Sequence, residues 1–205
     1  MAARFWVGGT GTWDSTNTAN WSATSGGASG ASVPGAADDV TINTASITAT
    51  NNYNVTATTL SSTNVTTRTI NLGSSTITLS ANQAIDFLTP NNLTFNAGTS
   101  QINLSGATAE VRAGGKTFYN VAFTNTTAAT RAGIFSAETG STFNNISVTG
   151  PASAGVVQFL FNAPQVIING TLSTTGTAGN RRVWFRSNTY GIAQTLTINS
   201  APSLT

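Results

Sequence analysis

Three features of the sequence predict an all-β fold: short segments in which apolar and polar residues alternate, turn-forming residues at the ends of those segments, and very little charge. The chain has 205 residues, of which 7% are charged, whereas about a quarter is usual in soluble domains. Serine, threonine and asparagine together supply about two residues in five. Helical surfaces are rarely built from these residues, and threonine, valine, isoleucine and phenylalanine favour extended backbone.

The pattern changes near residue 38. Residues 1–38 hold Trp6, Trp13 and Trp21 and several glycine-rich turns, but no long alternating run. From residue 39 onward, short alternating segments bounded by glycine, asparagine and serine predict half-buried strands. Examples in chain order are residues 40–42, 75–79, 92–95 and 101–104. We therefore predict an opening element over residues 1–38 and a region of stacked strands over residues 39–205.

Internal repeats distinguish between the possible all-β architectures. Residues 117–125 align with residues 142–150 at an offset of 25, which places Asn120 over Asn145. The segment from Ile77 to Ser80 aligns at the same offset with the segment that begins at Ile102. These matches predict strands that stack directly on their repeats.

Other repeats have shorter offsets. Ile70 and Leu72 align with Leu93 and Phe95 at an offset of 23, and the segment that starts at Asn145 aligns with residues 165–170 at an offset of 20. A period of about 20 to 25 residues lies in the range of solenoid repeats. With several strands and no helix in each period, it predicts a single-stranded, right-handed parallel β-helix whose successive coils stack as rungs.

Several residues are expected to have structural roles. The open ends of a solenoid expose unpaired backbone groups, so Trp6, Trp13 and Trp21 are expected to cap the first rung rather than bind a ligand. Asp39 is expected to serve a turn-and-cap role. The far end, near Thr205, has no comparable closing segment, which predicts that the polypeptide continues there or meets a partner.

Asn120 and Asn145 occupy equivalent places in successive repeats. Asparagine tolerates turn conformations, and its amide can pair with a copy stacked above it. The two residues therefore form either a hydrogen-bonded ladder or ordinary solvated turns.

Composition excludes several kinds of chemistry. The chain has no histidine and no cysteine, so histidine-based catalytic pairs, thiolate sites and His-ligated metal sites are excluded. We predict no enzyme, no cofactor and no metal. The net charge of +2 is spread thinly, which argues against nucleic acid as a partner. No stretch approaches the ~18 apolar residues of a membrane span or has the form of a signal peptide, so we expect folding in the cytoplasm and no membrane association.

One segment, residues 181–190, has the composition of a contact surface. If Val183 faces the interior, alternation places Arg182, Trp184 and Arg186 together on the outside. With Tyr190 they are the candidate binding residues. A tryptophan flanked by arginines can stack on a sugar, contact another subunit or pack against a local loop, and all three interpretations stay open.

The opening motifs resemble those of phage-encoded β-helical virion proteins. They are the run Arg-Phe-Trp-Val-Gly-Gly-Thr-Gly-Thr-Trp-Asp over residues 4–14, Asn-Trp-Ser over 20–22, Ser-Val-Pro over 32–34 and Ala-Asp-Asp-Val over 37–40. Segments 95–100, 115–121 and 180–183 resemble the same group. The opening order of motifs is also similar to repeats of bacterial autotransporter passengers, which are β-helical adhesins.

The phage resemblance implies a non-enzymatic structural protein of the virion. It would be a tail fibre, spike or similar appendage involved in host attachment and assembled in the host cytoplasm. Its implied partners are other virion proteins, further copies of the chain in a trimer, and a host surface glycan. The alternatives are an exported adhesin on a bacterial surface and a polysaccharide depolymerase tailspike. The main objection to the depolymerase is that only Asp38 and Asp39 are adjacent acids, and alternation points them to opposite faces.

Overall fold

The structure is a computed structural model that describes residues 1–88, 92–127, 131–135, 141–162, 165–175, 181–187 and 193–202. These residues form β-strands joined by turns, with one short 3-10 helix at Thr18–Asn20 and no α-helix. The predicted all-β class is confirmed. Within the same ranges, no helix has the length and apolar character needed to cross a membrane.

Short strands account for most of the described backbone. In chain order they are β1 (Ala2–Trp6), β2 (Gly11–Trp13), β3 (Trp21–Ser22), β4 (Asp38–Thr41), β5 (Ile47–Asn51), β6 (Val55–Ala57), β7 (Thr59–Ser61), β8 (Arg68–Asn71), β9 (Thr76–Leu79), β10 (Gln83–Asp86), β11 (Leu93–Asn96), β12 (Gln101–Leu104), β13 (Glu110–Arg112), β14 (Thr117–Phe123), β15 (Arg131–Phe135), β16 (Ser141–Thr149), β17 (Gly155–Asn162), β18 (Gln165–Ile168), β19 (Leu172–Thr175), β20 (Arg181–Ser187) and β21 (Thr195–Ile198).

The strands form three sheets. The first sheet has the order β20-β17-β15-β13-β10-β7-β4-β1-β3, the second has the order β11-β8-β5-β2, and the third has the order β21-β18-β16-β14-β12-β9-β6, with β19 also paired to β16. From β4 to β12 the chain visits the first, second and third sheets in turn, three times over. Parallel strands cannot be joined by a tight hairpin, so each return to the first sheet follows a passage through the other two.

Pairing is parallel throughout, except that β1 and β3 run antiparallel. In the first sheet Val40 pairs with Leu60, Leu60 with Ile85, and Ile85 with Val111, so the chain returns after 20 to 26 residues. β10 contains a register shift between Gln83 and Ile85. This bulge adds one residue to β10, and the side chains that follow it still face the same side of the sheet as their partners on β13.

The predicted repeat over β14 and β16 is confirmed. Phe118 pairs with Phe143 and Asn120 pairs with Asn145. The match between β9 and β12 is also confirmed, because Ile77 pairs with Ile102.

The two shorter offsets are wrong. Ile70 pairs with Phe95, at an offset of 25, and Leu93 pairs with Arg68 instead. A shift of two residues keeps every side chain on its own face, so alternation alone cannot detect it.

The offset of 20 between β16 and the following repeat is wrong for a different reason. β16 is nine residues long, and its two halves pair with two different strands. Phe143 pairs with Ile168 of β18, whereas Ile146 pairs with Leu172 of β19. The repeat length at this point is therefore 25 to 26 residues.

One continuous apolar core lies along the inner faces of the strands and includes residues from Trp6 to Leu172. Its middle contains a run of phenylalanine rings. The ring centroids of Phe95 and Phe118 are 5.0 Å apart, and those of Phe118 and Phe143 are 5.1 Å apart with nearly parallel planes. Such offset stacking adds to the free energy of simple burial.

The opening segment contributes strands to two of these sheets. β1 pairs in parallel with β4, and β2 pairs in parallel with β5. The sheets therefore extend across residue 38 without a break in pairing.

Candidate functional site

The predicted contact surface lies on β20. Arg182, Trp184 and Arg186 are exposed, with Trp184 at 52% of its full exposure, whereas Val183 and Phe185 are partly buried against the core. The predicted orientation of this strand is confirmed. Tyr190 lies outside the described residues.

The inner face of β20 holds this surface in place. The ring of Phe185 lies 5.6 Å from that of Phe159 and 6.3 Å from that of Phe161. β20 pairs with β17 along seven residues, with Gln158 beside Trp184. The surface therefore presents an indole between two guanidinium groups on a strand fixed by packing.

Charge is distributed unevenly among the sheets. The third sheet's described strands contain no charged residue, and the second sheet contains one, Arg68, which is buried. The charged residues in strands of the first sheet are Arg4, Asp38, Asp39, Asp86, Glu110, Arg112, Arg131, Arg181, Arg182 and Arg186. One sheet is therefore charged, and the outer faces of the other two present neutral polar side chains.

Two acidic residues in the middle of the first sheet, Asp86 and Glu110, are paired with the same arginine. Arg112 Nε donates to Glu110 Oε1 at 2.5 Å, and Arg112 Nη1 lies 3.8 Å from Asp86 Oδ2. The hydrogen bond to Glu110 raises the pKa of Arg112. Glu110 and Arg112 lie two residues apart on β13 and therefore on one face of the strand, whereas Asp86 comes from the neighbouring strand β10 and is far from Arg112 in sequence. Among the residues that the structure describes, no three acidic, histidine or cysteine side chains come together in a group that could hold a metal ion.

The adjacent acids Asp38 and Asp39 have different partners. Asp38 Oδ2 accepts a hydrogen bond from the Gly35 backbone at 3.0 Å and lies 3.6 Å from Arg4 Nε. Asp39 Oδ1 accepts from Thr59 Oγ1 at 3.0 Å. Asp38 closes the turn that leads into β4, and Asp39 links β4 to β7.

Trp6, Trp13 and Trp21 form one buried cluster. The ring of Trp21 is completely buried and lies 5.2 Å from Trp6 and 5.3 Å from Trp13, in edge-on geometry. Trp13 Nε1 donates to the hydroxyl of Tyr53 at 3.1 Å, and burial raises the pKa of that hydroxyl. The three indoles face the interior, so none of them offers a free ring face to a ligand.

Asp14 organises the loop between Trp13 and the 3-10 helix. Its Oδ1 accepts hydrogen bonds from the backbone of Thr16 at 2.8 Å and of Asn17 at 2.7 Å. These two bonds lower the pKa of Asp14 below its ordinary value of 3.8. The ionised form is therefore favoured in the folded protein.

This arrangement predicts an acid-dependent contribution to stability. Because the pKa is lowered on folding, the contribution of Asp14 is present above the unfolded pKa of about 4 and is lost as the pH falls through the folded pKa. We expect the free energy of unfolding to fall more steeply with acid in the wild type than in Asp14→Asn. Urea unfolding of both proteins at pH 7 and pH 2.5 measures the difference, and parallel acid dependence in the two proteins would contradict it.

The amide ladder considered for Asn120 and Asn145 is formed. Asn145 Nδ2 donates to Asn120 Oδ1 at 2.8 Å, and Asn145 Oδ1 accepts from the backbone of Thr171 at 2.7 Å. A second ladder was missed by sequence reasoning. Asn96 Nδ2 donates to Asn71 Oδ1 at 2.7 Å. The recurring triplet Thr-x-Asn on β8 and β11 is the signal that could have revealed it.

Asn145→Ala tests the first ladder. The substitution removes the bond to Asn120 and leaves the Thr171 amide without its acceptor, so we expect a loss of about 1–2 kcal/mol in the free energy of unfolding. Ser147→Ala, two residues along the same strand, is the control and is expected to change it by less than about 0.5 kcal/mol. Equal urea midpoints for the two variants would show that water replaces the ladder.

Comparison with known proteins yields no relative: no protein-family model, no curated protein and no solved structure matches the chain. The candidate site is therefore defined by its own geometry. It consists of the exposed Arg182, Trp184 and Arg186 on the charged sheet.

Proposed function

We propose that this chain is a non-enzymatic structural protein of a phage particle, a tail fibre, spike or similar appendage that takes part in host attachment. The observation on which this depends most is the regular return of the chain to the first sheet along one continuous core. Repeats stacked in this way form a stiff body that extends in one direction as repeats are added. The opening motifs of residues 4–14 and 20–22 add the resemblance to phage virion proteins.

We further propose that the three sheets are the faces of a single-stranded, right-handed parallel β-helix. The parallel pairing, the order in which the sheets are visited and the inward apolar columns support this arrangement. Seven strands of the first sheet, from β4 to β20, would span roughly 30 Å at the ~4.8 Å spacing of neighbouring strands. Trp6, Trp13 and Trp21 would cover the first coil.

The surface of Arg182, Trp184 and Arg186 is the proposed contact with another virion protein, a further copy of the chain or a host glycan. Tryptophan and arginine are enriched at protein interfaces, which favours a protein partner for this surface. We expect a trimer. Sedimentation equilibrium at micromolar concentration tests it, and a mass of about 21 kDa at all concentrations would exclude the trimer.

Immunogold electron microscopy tests the proposed function directly. Antibody raised against the purified chain is applied to a preparation that contains both cells and particles. Gold on tails or capsids is expected. Gold confined to cell envelopes would exclude the virion protein and favour the exported adhesin, which the opening motifs also resemble.

The depolymerase alternative meets an electrostatic objection. Cleavage of a glycosidic bond by paired carboxyl groups needs one of them to be protonated so that it can act as an acid. Arg112 forms ion pairs with both Asp86 and Glu110, so these two carboxyl groups are already engaged with a cation rather than directed at a substrate. Release of reducing ends from capsular polysaccharide by the purified chain would overturn the objection.

A further inference from the structure

A repeated polar pattern lies where the second sheet meets the third. Thr48 pairs with Thr69, which pairs with Thr94, and two residues along the same strands Thr50 pairs with Asn71, which pairs with Asn96. The long strands β14 and β16 carry the corresponding residues near their starts, as Thr117–Tyr119 and residues 142–144, with tyrosine in place of asparagine in β14. Two outward-facing columns result, one of threonine and one that is mainly asparagine.

Tyr119 interrupts the asparagine column. Its ring is half-buried and packs against the core. Of its neighbours in the column, Asn96 is exposed and Asn144 is half-buried. Among the described residues, no side-chain hydrogen bond engages Tyr119 or Asn144. Both polar groups are therefore open to solvent at the surface.

The chain forms a groove around Tyr119. In the two preceding passages a four-residue corner joins the second sheet to the third, with Gly73 and Gly98 at its tip. β14 has no such corner, because it runs without a break from Thr117 to Phe123. The corner at Gly98 therefore has no counterpart on β14, and the surface forms a step between this corner and β14.

The step is fixed by close backbone contact. Gly98 has a φ of 60°, and a Cβ atom there would lie 2.2 Å from the carbonyl oxygen of Gly73. The groove at its foot has a volume of about 550 Å³. Its polar and aromatic lining includes Asn96, Thr117, Tyr119, Asn144 and Asn169.

The floor of the groove is rigid. Phe118, beside Tyr119 on β14, is completely buried between Phe95 and Phe143. Packing of this kind fixes the strand and, with it, the direction of the outward side chains. Tyr119 and Asn144 are therefore held in place before any ligand arrives.

We propose that this groove binds an uncharged polysaccharide, with Tyr119 as its stacking platform. The C–H face of a pyranose ring packs on an aromatic ring, and asparagine both donates to and accepts from sugar hydroxyl groups. The described residues that line the groove include no charged side chain, so a neutral glycan is favoured over an anionic one. The threonine and asparagine columns extend beyond the groove along the sheet, which suits a chain of several sugars.

The assignment of this polysaccharide as the ligand for host attachment rests on the proposed function. Its binding can nevertheless be measured with the purified chain, without the particle. The groove is a different surface from that of Arg182 and Trp184. Gold labelling tests where the protein is located, and sugar binding tests this groove. Failure of one therefore leaves the other result interpretable.

The experiment is a printed array of neutral oligosaccharides (glucans, mannans and galactans) beside sialylated and uronic-acid oligosaccharides, probed with the full chain. We expect binding to at least one neutral oligosaccharide. Tyr119→Ala should weaken it at least tenfold, while Tyr119→Phe, which keeps the ring, should retain it within threefold. Val65→Ala, which removes an apolar side chain that is 58% exposed and is not among the described lining residues, is the control and should leave it unchanged. Trp184→Ala separates the groove from the surface of Arg182, Trp184 and Arg186, because loss of binding in that variant would place the ligand on that surface.

Unchanged circular dichroism and thermal midpoint of each variant establish that the fold is intact. Absence of binding to every neutral oligosaccharide would overturn the proposal, as would binding confined to acidic ones. Neutral binding that survives Tyr119→Ala, or that disappears in Trp184→Ala, would also overturn it, because the ligand would then lie elsewhere. If Tyr119→Ala fails to fold, Asn144→Ala takes its place, with at least a threefold loss expected and an unchanged affinity counting against the groove.

Discussion

Replacement of Arg68 by methionine is expected to lower the free energy of unfolding by about 3–5 kcal/mol. Arg68 carries a charge but is only 1% exposed, and it lies in the middle of a sheet. Its Nε donates to the carbonyl of Ile42 at 3.0 Å, and its Nη1 donates to the carbonyls of Asn64 at 2.7 Å and Thr66 at 2.6 Å. Methionine fills most of the volume but removes the guanidinium donor from the carbonyls of Asn64 and Thr66, whereas the carbonyl of Ile42 still accepts from the hydroxyl of Ser62 at 2.7 Å.

The side chain of Arg68 is stabilised by carbonyl dipoles, and the described salt bridges give it no carboxylate partner. Desolvation accordingly lowers its pKa. Arg68→Lys keeps the charge but cannot reproduce the planar fork that reaches several acceptors at once. We therefore expect Arg68→Lys to lose most of the stability that Arg68→Met loses.

Urea unfolding followed by tryptophan fluorescence measures both variants. Arg112→Met is the control, because Arg112 forms its ion pairs at the surface, where such pairs contribute about 0–1 kcal/mol. If Arg68→Met stays within about 1 kcal/mol of the wild type, water must reach the carbonyls and replace the guanidinium.

Arg68 also explains one error of sequence-based prediction. It lies in an interior column between Ile47 and Leu93. An alignment that places only apolar residues in the interior skips it and moves Leu93 onto Ile70, which gives an offset of 23 instead of 25. The pattern of alternation fixed the face of every residue here, but a buried charge concealed the register.

The features predicted well are those set by residues close in sequence. Alternation along one strand oriented Arg182, Trp184 and Arg186, and a clear repeat aligned Asn120 with Asn145. The features missed depend on neighbours about 25 residues away. Asp86 on β10 pairs with Arg112 on the neighbouring strand β13, and a bulge in β10 shifts the register just before that pair.

The Tyr119 groove belongs to the same class of missed features. It exists because a corner present in one passage of the chain is absent in the next. No local pattern around Tyr119 reports the height of the preceding corner, so only the arrangement of strands in space reveals the step.

Trp21→Ala is expected to lower the free energy of unfolding by about 3–5 kcal/mol, the range found for large aromatic residues removed from a core. Trp21 is fully buried between Trp6 and Trp13. Its carbonyl also accepts hydrogen bonds from the backbones of Gly30 and Ala31 at 3.0 Å, which alanine preserves. The loss therefore reports the indole ring. Trp21→Phe should cost less, because Trp21 Nε1 is buried without a hydrogen-bond partner and phenylalanine has no such donor.

The position of the damage distinguishes a cap from an ordinary core residue. If the three tryptophans cap a stack of repeats, in which each repeat contacts mainly its neighbours, their loss should open the first strands before the distant ones. Hydrogen exchange in Trp21→Ala is expected to accelerate at Val40 and Ile47 while Val121 and Ile146 keep their protection. Trp184→Ala, which removes an indole that is 52% exposed, should leave both groups protected. Uniform loss of protection along the chain in Trp21→Ala would instead mean that the strands unfold as one cooperative unit, with the three tryptophans as part of its common core rather than a cover on one end.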